Sequence, residues 1–90
     1  MKCVHVIVKG YVQGVFFRTF TEKLARKHNI VGWVRNRTNG DVEIVAQGKD
    51  ENVERFLLDL WNGPGKVEDV VYEYENPRDG LKGFKRLDTV

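Results

Sequence analysis

The apolar residues of this chain change their spacing four times within 90 residues. "CVHVIVK" alternates, and a period of two places Val4, Val6 and Val8 on one face of a strand. Phe17, Phe20, Leu24 and Ala25 then fall on one helical face, which predicts a helix over about 17–28. Asn29, a residue that tolerates the left-handed conformation, ends it. "IVGWVRN" and "DVEIVAQG" return to the strand period and flank Asn39-Gly40, a strong hairpin signal. Val42, Ile44 and Ala46 point inward. A second helix follows, with Asp50 expected as its cap. Val53, Phe56, Leu57, Leu60 and Trp61 form its apolar stripe, and "NGPG" stops it. "KVEDVVYEYE" is a fourth strand, with Val70, Tyr72 and Tyr74 on one face, and "FKRLDTV" ends the chain as a short fifth.

Few architectures accept that order. Two helices joining four strands as βαββαβ pack on one face of an antiparallel sheet. The expected fold is therefore an α+β, ferredoxin-like sandwich: four antiparallel strands, a short fifth, and two helices on one face. Residues 1–90 form a single domain, since no linker, repeat or low-complexity tract divides them.

The bulk chemistry excludes more than it selects. A formal net charge of +2, with both signs mixed along the chain, is too weak to argue for nucleic acid. The single cysteine, Cys3, can form neither an internal disulfide nor a cysteine-based zinc site alone, and reads as a small buried filler. His5 and His28 have no spacing that suggests a metal. His28 suits the negative end of the first helix. No run approaches the roughly 20 apolar residues of a membrane span. "MKCVHVIVKG" lacks the layout of a signal peptide, so a reducing, cytoplasmic setting is expected. The acids Glu68, Asp69, Glu73 and Glu75 read as a solvated strand face.

One junction stands out. "KGYVQGVFFR" joins the first strand to the first helix with two glycines, one arginine and no carboxylate. The first N–H groups of a helix lack intrahelical partners, and the dipole adds positive charge there. Gly10 and Gly14 let the preceding loop curl its amides into an anion-binding nest. Arg18 can fork onto two phosphoryl oxygens. The plain alternative is an ordinary turn, with Arg18 on the wrong end of the dipole. Asn36, at the end of "GWVRN", can orient a water; the alternative is a hairpin asparagine bonding its own backbone. Trp33 is expected in the core or against the loop.

Together these residues resemble the acylphosphatase family. "GYVQGVFFR" at 10–18 is similar to its phosphate loop, G-x-V-Q-G-V-x-F-R, and "GWVRNRTNGDVEIVAQG" at 32–48 to its second signature. The resemblance covers nearly the whole chain. It implies hydrolysis of the carboxyl–phosphate anhydride of small-molecule acyl phosphates to a carboxylate and inorganic phosphate. It implies no metal or organic cofactor. Arg18 would bind the phosphoryl group and Asn36 would position the attacking water. The backbone of Tyr11, Val12, Gln13, Gly14, Val15, Phe16 and Phe17, with Arg18, would form the phosphate-binding cradle. A monomer is expected, with no nucleic-acid or membrane partner.

Two positions depart from the family pattern. Tyr11 stands where arginine is common, and Arg37 is the candidate to replace that charge. Phe16 stands where a small residue is common, and would be strained if the position needs positive φ. Two other readings compete. A single-stranded-RNA module would need the RNA-recognition signature, which is absent. A carbamoyl-phosphate-handling domain of a larger maturation enzyme would use the same loop.

Overall fold

Strand β1 (Lys2–Tyr11) buries Val4, Val6 and Val8 completely, as its alternation requires. The computed structural model describes all residues, Met1–Val90. Helix α1 (Phe17–Lys27), β2 (Val31–Asn36), β3 (Val42–Gly48), α2 (Asp50–Leu60), β4 (Lys66–Glu75) and β5 (Phe84–Arg86) follow. The sheet order is β4-β1-β3-β2-β5. The first four strands pair antiparallel, as expected. β5 pairs parallel to β2, so the five-stranded sheet is mixed. One core of 17 buried residues joins both helices to one sheet face. The fold is the ferredoxin-like α+β sandwich.

β3 lies in the middle of the sheet and is buried along its whole length. Its outward side chains are therefore covered as well. Glu43 sits under His5, Arg35 and Arg37, at 2.6, 2.7 and 3.3 Å. Gln47 bonds the backbone of Arg78 twice, which pins the segment before β5 across the end of the sheet. Cys3 is fully buried beside that segment, and burial pushes its thiol pKa up.

Three local expectations need correction. Asp50 does not cap α2. Lys49 holds the N-cap position without a side-chain bond, while the Asp50 carboxylate pairs with the Met1 ammonium at 3.0 Å. That ammonium holds the Asp50 carboxyl below the usual carboxylate range. Trp61 falls just past the last helical turn and is 48% exposed, beside Tyr72 and Tyr74. Those rings leave an apolar groove between α2 and β4. Trp33 leaves the core because the inward phase of β2 belongs to Val34. Its ring instead carries the Arg35 guanidinium, 4.7 Å from the centroid, on the outer face.

At the end of β1 the pairing with β4 shifts register between Lys9 and Gly10. Gly10 has φ 127°, and a Cβ there would lie 2.1 Å from the Lys66 carbonyl oxygen. Only glycine permits that close approach. The bulge precedes the loop that carries the site.

Candidate active site

The loop from β1 ends at Phe16, which occupies the N-cap of α1 with φ 65° and ψ 26°. This is the left-handed conformation that the sequence flagged as a strain for Phe16. No side chain caps α1, and no acid lies in its first turn. The first amides of the helix are therefore left to whatever occupies the space before them. Gly14 also has positive φ, 73°, and a Cβ there would meet nothing within 4 Å. Its side faces open space.

That space is a cavity of about 240 Å³. Val12, Gly14, Phe16 and Phe17 line it from the loop side, and Arg18 from the first turn of the helix. Asn36 enters from β2. Val34 is inward, so Asn36, two residues on, shares its face and reaches the mouth of α1. Its Oδ1 is buried and has no hydrogen-bond partner within the chain. A buried amide oxygen without a partner is costly, which marks the position as built for a ligand or water. None of the chain's ion pairs involves Arg18. Its guanidinium fork remains available to an anion.

Three residues of the loop whose backbone was expected to form the cradle do not line the cavity. Tyr11 is 74% exposed and pairs with Lys66 as the last residue of β1. Val15 packs against the core. Gln13 turns to the β2–β3 hairpin, where its Nε2 donates to the carbonyls of Arg37 (2.6 Å) and Asp41 (2.9 Å). It ties the loop to the hairpin that carries Asn36. Nor does Arg37 replace a cation at the loop, because its guanidinium is committed to Glu43 on the other face.

The second cation in the cavity is Arg86, with Thr19 beside it. Sequence reading missed both. Phase alone could have suggested Arg86. Phe84 packs inward against Phe56, with ring centroids 6.4 Å apart, and Arg86 follows two residues later on the same face. The parallel register, Val34 opposite Arg86, was not legible. No group of three or more His, Cys, Asp or Glu side chains is placed to hold a metal ion.

Known proteins are similar to this chain in sequence and in fold. The acylphosphatase family model matches residues 4–86. An acylphosphatase of Oceanobacillus iheyensis is 53% identical over 70 residues, 78% of this chain and 77% of that protein. The crystal structure of the Bacillus subtilis acylphosphatase superposes with a TM-score of 0.93 at 36% identity, covering 97% of this chain and 99% of the other. HypF of T. kodakarensis superposes at 0.85 and 29% identity; it matches all of this chain but only 12% of its own length. By family match, identity and matched extent, the chain belongs to the acylphosphatase family.

Proposed function

We propose that Arg18, Asn36 and the backbone of Tyr11 to Phe17 carry out the acylphosphatase reaction that family membership assigns to this chain. The observation that carries the reading is the meeting of an unpaired Arg18 and an unsatisfied Asn36 Oδ1 in one cavity at an uncapped helix start. Arg18 holds two phosphoryl oxygens in a bidentate fork. The loop and helix amides spread the charge of the phosphoryl oxygens. Asn36 Oδ1 accepts a hydrogen bond from water and aims its oxygen at phosphorus.

Water oxygen bonds to phosphorus as the bond from phosphorus to the acyl oxygen breaks. The electron pair of that bond leaves on the carboxylate. An acyl phosphate of charge −2 and water thus give a carboxylate and dihydrogen phosphate, each of charge −1. No side-chain base lines the cavity. The phosphoryl group itself takes the water's proton in this reading. Position and charge do the rest, as is usual for loose phosphoryl transfer.

The test is hydrolysis of benzoyl phosphate in excess EDTA. Arg18→Ala should lose roughly 100- to 1000-fold in kcat/KM, the range for removing one oxyanion donor, and should weaken phosphate binding. Asn36→Ala should keep phosphate affinity while kcat falls about 100-fold, because water is aimed in the transition state. Full turnover in either variant would refute its assigned role. Loss of wild-type turnover in EDTA would refute metal-free chemistry.

The same reading places the protein in the cytoplasm as a monomer with no nucleic-acid partner. No helix is long and apolar enough to cross a membrane. Sedimentation equilibrium of the purified chain tests the monomer.

A further inference from the structure

Thr19 lines the cavity, yet the phosphoryl chemistry above does not use it. It stands in the first turn of α1, where Cα–Cβ bonds tilt toward the helix N-terminus, the end that faces the phosphoryl group. Thr21 in the same helix spends its hydroxyl on the Phe17 carbonyl at 2.9 Å. Thr19 makes no such bond. Its Oγ1 instead accepts from Arg86 Nη2 at 2.8 Å. An arginine can only donate, so the Thr19 hydroxyl hydrogen turns away from it and has no acceptor within the chain.

The same arginine relates Thr19 to Asn36. Arg86 Nε donates to Glu22 Oε1 at 2.7 Å, so Glu22 and Thr19 clamp the guanidinium against α1. On the sheet side Arg86 lies opposite Val34, and Asn36 follows two residues later on that inward face. The Val90 N–H on the Asn36 carbonyl, at 3.2 Å, carries the β2–β5 side of the cavity on past Asn36. Asn36 brings a buried acceptor without a partner, and Thr19 brings a donor without one. A water molecule answers both. One hydrogen bond leaves a water free to turn about it, whereas one given and one received fix its oxygen.

We infer that Thr19 is a further catalytic residue, which holds the attacking water together with Asn36, and that Arg86 is the positioning residue for its hydroxyl. The inference rests on the acylphosphatase reading of the site. The water donates one hydrogen bond to Asn36 Oδ1 and accepts one from the Thr19 hydroxyl. Its remaining lone pair bonds to phosphorus, its second proton passes to a phosphoryl oxygen, and the acyl oxygen leaves with the electrons of the broken bond. Thr19 keeps its own proton throughout, so its part is aim and not basicity. Benzoyl phosphate turnover and competitive inhibition by inorganic phosphate test this together. Thr19→Val keeps the shape and removes the hydroxyl. Its kcat should fall roughly 2- to 10-fold, the range for one neutral hydrogen bond, with the inhibition constant for phosphate unchanged. Thr19→Ser should recover most of that loss. Combined with Asn36→Ala, the Thr19→Val loss should shrink, because both residues act on one water. Arg86→Lys keeps the charge without the clamp; it should lower kcat alone and add little to Thr19→Val.

Full kcat in Thr19→Val overturns the inference. So does an equal loss in Thr19→Ser, or losses that multiply in full with Asn36→Ala. Weaker phosphate inhibition in Thr19→Val also overturns it, since the hydroxyl would then sit on the phosphoryl group. An Arg86→Lys loss undiminished by Thr19→Val overturns the positioning role. Wild type that binds phosphate but hydrolyses no benzoyl phosphate would sink the acylphosphatase reading itself, a different failure.

Discussion

Phe16 holds a backbone conformation that costs an L-residue about 1–2 kcal/mol. Its ring gives little back, being 82% exposed. Glycine removes that penalty and adds about 0.5–1 kcal/mol of unfolded-chain entropy. Phe16→Gly should therefore stabilise the protein by roughly 0.5–1 kcal/mol, a rise of a few degrees in Tm for a domain of this size. A calorimetric Tm at or below wild type would show that the ring earns its place. The strain was legible as a conditional; only the backbone supplied the positive φ. Arg18 and Asn36 were legible as candidates through the two motifs that resemble the family's, and the structure brings both to one cavity. Arg37 was misassigned because the sequence does not say that its guanidinium reaches back to Glu43, the residue paired with Arg35.

Glu43 gives a pH prediction at the same scale. Burial pushes its carboxyl pKa up, but hydrogen bonds from His5 and Arg35 outweigh that, and the net shift is downward from the ordinary 4.5. A depressed folded-state value means the unfolded chain binds the proton more readily. The stabilisation is fully present above about pH 4.5 and is lost as pH falls through the folded value. Urea midpoints should drop below pH 4.5 in the wild type. Glu43→Gln should be less stable at neutral pH and lack that component of the acid slope. Parallel wild-type and variant curves across this range would show that Glu43 does not carry it.

Among the elements, the loop and the hairpin act as one unit through Gln13. Its two bonds add a second donor to hairpin carbonyls that already accept from the N–H groups of Gly40 and Arg37. Gln13→Ala should cost about 1–3 kcal/mol, at a net 0.5–1.5 for each hydrogen bond. The urea midpoint should fall with m unchanged. Phosphate affinity should hold better than kcat, because Asn36 loses its fixed distance from the cradle. Equal losses in both would mean that Gln13 supports only the fold. The sequence showed the elements clearly, since each has an unmixed period. It did not show the two tethers, Gln13 to the hairpin and Gln47 to Arg78, because a side-chain bond between remote segments leaves no periodic trace. The helix start was legible because its first turn holds no acid, and the structure shows that no side chain caps it. Asp50 misled because it looks like a cap while lying one residue inside the helix.

In the whole molecule, one buried face organises everything, and the βαββαβ order was sufficient to name it. The fifth strand was the exception. Three residues carry too short a pattern to give direction or partner, and β5 turned out parallel beside β2. The site inherits that topology. Its residues come from β1's loop, α1, β2 and β5, elements that the chain visits early, midway and last. In the order β4-β1-β3-β2-β5, only β2 and β3 are neighbours in both chain and sheet. Every other pairing closes a long loop, which slows folding. Time therefore divides the molecule differently from space. The β2–β3 hairpin, with Asn36, is the one part of the sheet that local pairing can assemble, whereas Arg86 joins only when strands from opposite halves of the chain have met.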